Sequence, residues 1–367
     1  MIRSAKGGEK EVILQQARAL KAEGADVNIL TNYYEPDKAP EFGEFKVISL
    51  GLSRPDLFLG FRDTITLLKY WTMKLKTYDL LIAHDFPASI LARRIQPAIY
   101  YSHVPNRTLY SERAVYIQKL PFLLRPIAWV YTAVLRAIDQ STMKKVGLML
   151  ANSEDAQEKI KASYGRKAVV IPPGVTVDDD VLSQVRSKKY ILTASRLNKE
   201  KQVDLVIKAM KHLPDYELVV AGDGECKEEF ERLAKTIGKN ITFLGRVSHD
   251  ELKKLYRECF CVINVSKQEA LGMVALEAQA NGKMMIGAYG TGMLDYAKDS
   301  RTVILLEDNS PENVARTVRK LEKLDLNERA KLCIENAKKF DWKVFKKQFM
   351  EAVVPYIEKQ GKLWRKR

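Results

Sequence analysis

The chain has 367 residues, 46% of them hydrophobic, and 61 Lys and Arg against 46 Asp and Glu, a net charge of +15. That length and apolar content suit a globular protein of two or three domains. No run approaches the roughly 18 uncharged apolar residues of a membrane span, and the opening Met-Ile-Arg-Ser-Ala-Lys-Gly-Gly lacks the apolar segment of a signal peptide.

Cys226, Cys259, Cys261 and Cys333 form no C-x-x-C pattern, and the four histidines show no metal-ligand spacing. Buried thiols in a reducing cytoplasm are the expectation. The positive charge implies an anionic partner, whether a nucleic acid, an acidic lipid surface or a phosphorylated substrate. No RNA-binding motif or helix-turn-helix stands out, so no nucleic-acid partner is expected.

In chain order, strands are predicted over residues 27–30, 45–49, 80–83, 98–102, 147–151 and 169–171. Helices are predicted near 10–23, 62–76, 121–144 and 153–163. The second half repeats the alternation, with strands at 190–194, 217–221, 241–244, 261–265, 284–287 and 302–305. Its helices are predicted near 201–212, 225–237, 249–258, 272–281, 311–323 and 327–340. Apolar strands alternating with helices predict an α/β fold of two doubly wound parallel-sheet domains. Pro172, Pro173 and Gly174 mark the hinge. The expected organisation is a first domain over 1–172, a second over 173–341, and a C-terminal helix and basic tail over 342–367 that packs elsewhere. Only six residues precede Gly7, so the expectation is that the strand that normally enters such a domain is missing or that another segment fills its slot.

Residues 54–145 hold 14 Lys and Arg against 6 Asp and Glu, and include the apolar, aromatic run from Leu120 to Leu135. Basic residues interleaved with Trp, Tyr and Leu suit a water–lipid interface. A long core helix with solvated charges reads the same way.

Ligands of open parallel sheets bind outside the carboxyl ends of the strands. Four stretches follow strand ends. Arg196 and Lys201 follow strand 190–194, where two fixed cations hold a diphosphate or are simply solvated. Gly222-Asp223-Gly224-Glu225 is a tight turn with little specificity. His84 and His103 end neighbouring strands, each either a hydrogen-bonding group at the cleft or a satisfied buried ring.

The fourth stretch, Glu269 to Glu277, is the most specific. It places two carboxylates eight positions apart around Gly272, where a helix is expected to open. The helix N-terminus suits phosphate, Glu269 suits sugar hydroxyls, and Glu277, about 8 Å along the axis, suits a ribose diol. The spacing reads as a nucleotide-sugar site; two surface glutamates are the alternative. Gly7 and Gly8 precede the first helix and allow close approach to a sugar or a phosphate.

Together these residues resemble the retaining glycosyltransferases of family 4, which have the GT-B fold of two Rossmann-like domains facing a cleft. The resemblance rests on E-x7-E at Glu269 and Glu277, R-L-x3-K at Arg196 and Lys201, G-D-G-E, the amino-terminal G-G-x-E and His103-Val-Pro-Asn-Arg107. It implies a metal-independent hexosyltransferase without a cofactor, taking a GDP- or UDP-sugar to a glycan or lipid-linked acceptor. The His103 motif is similar to that of mannosyltransferases building lipid-linked surface glycans. The implied roles are Glu269 on the sugar, Glu277 on the ribose, and Arg196 and Lys201 on the diphosphate, with His103 reaching the sugar from the first domain. Gly8, Leu271, Gly272 and Met273 complete the implied donor site. The implied location is cytoplasmic, peripheral at the inner face of an anionic membrane. A non-catalytic nucleotide-sugar-binding subunit and a basic membrane- or nucleic-acid-binding protein are the rival expectations.

Leu271, Lys283, Met284 and Gln202 depart from the commoner residues of that family, as do Val104 and Asn106.

Overall fold

The computed structural model describes residues 8–52, 61–238, 240–267, 272–288 and 299–361. The chain divides into two compact units, one ending at Pro173 and regaining the chain from Phe345, the other running from Gly174 to Val344.

The first unit contains strands β1 (Asn28–Thr31), β2 (Lys46–Ser49), β3 (Leu81–His84), β4 (Ala98–Ser102), β5 (Leu148–Ala151) and β6 (Val169–Val170). Its helices are α1 (Gly8–Ala22), α2 (Phe61–Thr72), α3 (Arg113–Gln118), α4 (Arg125–Met143) and α5 (Glu154–Tyr164). All strand pairs are parallel, and they form two sheets, β1-β2 and β3-β4-β5-β6. Strand β4, Ala-Ile-Tyr-Tyr-Ser, is buried along its whole length, as a central parallel strand covered on both faces must be. Ser153 caps α5 by accepting from the Ala156 N–H, and Gly165 ends it at φ +65°.

The second unit carries β7 (Tyr190–Ala194), β8 (Glu217–Ala221), β9 (Ile241–Gly245), β10 (Cys261–Asn264), β11 (Met285–Ala288) and β12 (Val303–Leu306). They form one sheet ordered β12-β11-β10-β7-β8-β9. The helices are α6 (Val181–Gln184), α7 (Val203–Ala209), α8 (Lys227–Ile237), α9 (His249–Glu258), α10 (Met273–Ala280), α11 (Pro311–Leu321) and α12 (Leu326–Lys338). Ser248 and Ser310 each accept from the backbone N–H three residues on, capping α9 and α11.

The last helix, α13 (Trp342–Lys359), packs on the first unit from Phe345 onward. The Phe345 ring meets Tyr101 edge-on at 6.5 Å, and the Tyr356 hydroxyl donates to the Ala98 carbonyl at 3.2 Å. Gly147 makes room for this contact, because a β-carbon there would lie 2.1 Å from the Tyr356 oxygen.

Three local details bear on the second unit. The helix expected over 201–212 is broken: a 3-10 turn at Lys199–Lys201 precedes α7, and Gln202 between them has φ +49°. A left-handed position favours glycine, and here Gln202 holds it. Asp178 accepts hydrogen bonds from Lys253 at 3.2 Å and from Arg257, which hold its carboxyl below the usual range against the opposing effect of burial. Lys283 is 2% exposed, and its ammonium donates to the Arg186 carbonyl. Burial lowers its pKa.

Asp139, on α4, is fully buried and accepts from the Tyr110 hydroxyl at 2.8 Å and the Tyr164 hydroxyl at 2.9 Å. Desolvation pushes its pKa up to about 6 despite those bonds. The unfolded carboxyl titrates near 4, so between about pH 4 and 6 the folded state holds the proton that the unfolded state has released. Stability of the first unit therefore falls as pH rises through that window, by about 3 kcal/mol in total. Denaturant unfolding of wild type and Asp139→Asn at pH 4, 5, 6 and 7 checks this; the asparagine variant loses that part of the slope.

Candidate functional site

The second sheet places the site. From β7 the chain moves outward through β8 and β9, then returns to the other side of β7 for β10, β11 and β12. The order therefore reverses between β7 and β10, which are hydrogen-bonded neighbours with Cys261 opposite Ile191. Loops leaving such a pair at their carboxyl ends diverge and open a crevice. Arg196 and Lys201 lie on the loop after β7, and Gly272, Met273 and Glu277 follow β10.

Backbone hydrogen bonds hold these loops together. The Lys267 N–H donates to the Glu200 carbonyl at 2.9 Å, tying the loop after β10 to that after β7. The Asn309 amide donates to Gln202 Oε1 at 3.2 Å and to the Val265 carbonyl at 3.3 Å, adding the loop after β12. Leu197 and Asp223 pair at 3.1 Å, and Cys226 donates to the Leu197 carbonyl at 2.9 Å. The loop carrying Arg196 is thus fixed from both sides. Arg196 itself is exposed and Lys201 half-buried, so both side chains can reach an anion in solvent.

Gly272 stands at φ +70° immediately before α10, and the helix has no side-chain cap. Its first N–H groups thus donate to no capping side chain among the described residues and, with the helix dipole, suit phosphate. Met273 is half-buried at the first position of this helix. Glu277 is also half-buried, and its carboxylate accepts from the Tyr256 hydroxyl at 2.9 Å. Tyr256 is fully buried, and burial followed by the Glu277 charge raises its pKa. This contact was not legible in the sequence, since nothing in the neighbourhood of Tyr256 on α9 marks it. Glu269 and Leu271 lie outside the described residues.

The turn Gly222–Gly224, of little specificity as sequence, has a clear structural cause. Gly222 has φ +144°, and a β-carbon there would sit 1.9 Å from the Ser195 carbonyl oxygen. At Gly224 it would sit 2.3 Å from the Leu197 carbonyl oxygen. Both glycines exist so that the loop after β8 can lie against the loop bearing Arg196.

In the first unit, His103 follows β4 and His84 ends β3. Their rings stack at 5.7 Å, and Tyr101 meets His103 edge-on at 5.3 Å. His84 Nε2 bonds Gln16 Oε1 at 2.8 Å, while His84 Nδ1 is buried without a hydrogen-bond partner among the described residues. His103 Nε2 is buried without a hydrogen-bond partner among the described residues. Burial lowers both pKa values, so both rings are neutral near pH 7. A neutral imidazole can donate from one nitrogen or accept at the other, as a sugar hydroxyl requires. The His103 backbone N–H donates to Asp85 at 3.3 Å, and Asp85 itself has φ +52°. Gly8 opens α1, whose first turn carries Glu9 and Glu11. Those carboxylates already complement the helix dipole, so this terminus suits a sugar hydroxyl better than a phosphate.

Comparison with known proteins agrees with this geometry. Residues 6–179 match the model of glycosyltransferase family 4, and residues 177–340 that of glycosyl transferases group 1. The human alpha-1,3/1,6-mannosyltransferase ALG2 is 26% identical, over 82% of this chain and 81% of that protein. An uncharacterized glycosyltransferase of Methanocaldococcus jannaschii is 23% identical over the same shares. A second from that archaeon is 28% identical, but the match spans only about half of each chain, 52% and 53%. Among solved structures, sucrose-phosphate synthase from Thermosynechococcus elongatus superposes with a TM-score of 0.72 at 17% identity, covering 94% of this chain and 92% of that one. HepE of Anabaena, solved with UDP and glucose, superposes at 0.68 and 18% identity, covering 95% and 96%. The paired family matches, the two parallel α/β units and the shared fold together establish that this chain belongs to the family 4 glycosyltransferases of GT-B fold.

Proposed function

We propose that the chain transfers a hexose, mannose by preference, from a nucleoside diphosphate-sugar to a glycan or lipid-linked acceptor, with retention and without a metal. The observation that carries this reading is the crevice between β7 and β10, where two cations and a helix N-terminus follow adjacent strand ends. Arg196, Lys201 and the first N–H groups of α10 stabilise charge growing on the leaving diphosphate. Glu277 holds the ribose, Glu269 the sugar, and neutral His103 a sugar hydroxyl. The leaving phosphate takes the acceptor proton in a front-face attack. The ALG2 relatives support mannose; HepE, solved with UDP and glucose, supports UDP as the alternative to GDP.

A thermal-shift panel of GDP-, UDP- and ADP-sugars tests the donor. A ligand at about 100 times its dissociation constant adds roughly 2.7 kcal/mol of stability. The expected result is a shift with one nucleotide class, then transfer to a lipid-linked acceptor with the donor's anomeric configuration kept. If no nucleotide-sugar shifts the transition, the reading fails.

The acceptor side of the reading rests on α4. Its outer face and the 3-10 turn Phe122–Leu124 before it are apolar where a soluble helix is polar: Phe122, Leu123, Ile127 and Val130 are each about two-thirds exposed or more. Residues 113–153 hold six Lys and Arg and one carboxylate, the buried Asp139. Arg113 stacks 4.2 Å over Trp129, and Lys119 lies 5.7 Å from the Tyr116 ring centre. Apolar residues rimmed by cations and aromatics suit anionic headgroups above acyl chains. No helix among the described residues is long and apolar enough to cross a membrane. Wild type is expected to sediment with vesicles containing anionic lipid and to be released by salt. Ile127→Glu with Val130→Glu is expected to weaken binding at least tenfold with the fold intact. Equal binding of the double variant would contradict this.

A further inference from the structure

Two neighbouring strands of the second unit lead into helices through a left-handed residue. At α10 that residue is Gly272, with φ +70°; at α7 it is Gln202, with φ +49° and ψ +35°. Glutamine bears a steric cost in that conformation which glycine escapes. Strained backbone persists where its surroundings over-determine it, and such positions cluster at functional sites. Gln202 follows Lys201 directly and is half-buried. Its side chain does not cap α7. The side-chain oxygen instead accepts from the Asn309 amide at 3.2 Å, and the same amide nitrogen donates to the Val265 carbonyl at 3.3 Å. A side-chain amide has two N–H hydrogens, one for each acceptor. Asn309 thus joins the loops after β7, β10 and β12 at one point. A second tie between the loops after β7 and β10, from the Lys267 N–H to the Glu200 carbonyl at 2.9 Å, lies on the other side of Lys201.

We infer that Gln202 is a positioning residue for Lys201: its side chain, held by Asn309, fixes the backbone from which Lys201 meets the diphosphate. The inference rests on the donor site proposed above. Lys201 supplies the charge and Gln202 supplies its place. The Lys201 backbone N–H donates to Asn198 Oδ1 at 3.1 Å, which anchors the short turn from its start. The Asn309 contact anchors the same turn from its end. Without it, the turn Lys199–Lys201 runs into a joint whose rotation nothing from the loop after β12 restrains. Stability and function therefore oppose each other at this position. Glycine at 202 removes the steric cost and drops the anchor, so the fold keeps or gains stability while the donor site loosens. A residue with a structural role alone moves both in one direction.

The test compares Gln202→Gly, Asn309→Ala and the double variant with wild type in the full chain. Hydrogen exchange of the ligand-free protein reads the anchor without any donor. The Lys201 and Lys267 N–H groups, both hydrogen-bonded in these loops, are expected to exchange at least tenfold faster in Gln202→Gly. Its unfolding midpoint is expected to equal or exceed that of wild type. In transfer assays its KM for the donor is expected to rise about tenfold, with the KM for the acceptor within twofold. Asn309→Ala reproduces the faster exchange and the higher donor KM, and the double variant goes no further, because the two side chains act as one unit. Wild-type exchange at Lys201 and Lys267 in Gln202→Gly overturns the inference. So does an unchanged donor KM, or a midpoint that falls together with the rise in KM. A wild-type chain that binds no nucleotide-sugar defeats the functional reading instead, and the exchange of the two amides then decides the anchor by itself.

Discussion

Replacing Arg196 or Lys201 with alanine is expected to lower the turnover of sugar transfer by 10²- to 10³-fold. Loss of one preorganised donor to developing charge costs about 3 to 4 kcal/mol of transition-state stabilisation. The two cations sit on a loop whose position is set by backbone bonds to the loops after β8 and β10 and by the amide of Asn309, after β12, on Gln202, not by their own side chains. Arg196 is exposed, so its truncation leaves the fold intact. The discriminating measurement is therefore kinetic and structural together: kcat falls while the unfolding midpoint stays within a few degrees. Wild-type turnover in either variant removes that residue from the mechanism. Lysine at 196 is expected to recover only part of the loss, because an ammonium cannot make the paired contacts of a guanidinium.

Gly222→Ala has the second largest expected effect, and it acts without touching substrate. The new β-carbon would lie 1.9 Å from the Ser195 carbonyl oxygen, at a backbone φ of +144° that side chains resist. The obstacle is backbone and cannot swing aside. Either the turn after β8 or the loop carrying Arg196 must move. The expected cost is on the order of 3 kcal/mol in stability of the second unit, with donor affinity lowered at least tenfold. Gly238→Ala is the matched control. Its β-carbon would meet only the Asn240 side-chain oxygen, at 3.1 Å. Denaturant unfolding and calorimetric titration of both variants separate a specific clash from a general intolerance of alanine. Equal behaviour of the two would show that the close approach carries no weight.

Much of the fold was legible because parallel strands covered on both faces are continuous apolar runs. Tyr190-Ile-Leu-Thr-Ala194 and Ala98-Ile-Tyr-Tyr-Ser102 became strands at the expected residues. Capping serines 248 and 310 were equally readable, since a hydroxyl placed before a helix has one strong use. Strand order was not readable, because apolar runs carry no record of which neighbour they pair with. Yet the reversal between β7 and β10 places the crevice. The break at Gln202 was hidden for a related reason: a left-handed residue announces itself when it is glycine, and here it is not. The Leu120–Leu135 run fitted a core helix and an interface equally well as sequence. Only the exposure of Ile127 and Val130 decides that it faces outward. His84 and His103 shared one sequence context, and a single contact, Gln16 to His84, separates them. Long-range partners such as Tyr256 for Glu277 are set by helix packing and leave no local trace.

The central claim is that an activated sugar is held through its diphosphate at the β7–β10 crevice. A crystal structure of the chain with the nucleotide-sugar that gives the largest thermal shift tests it most directly. The account predicts diphosphate oxygens within hydrogen-bond distance of Arg196, Lys201 and the first N–H groups of α10. A nucleotide-sugar bound in full occupancy away from all three would contradict it.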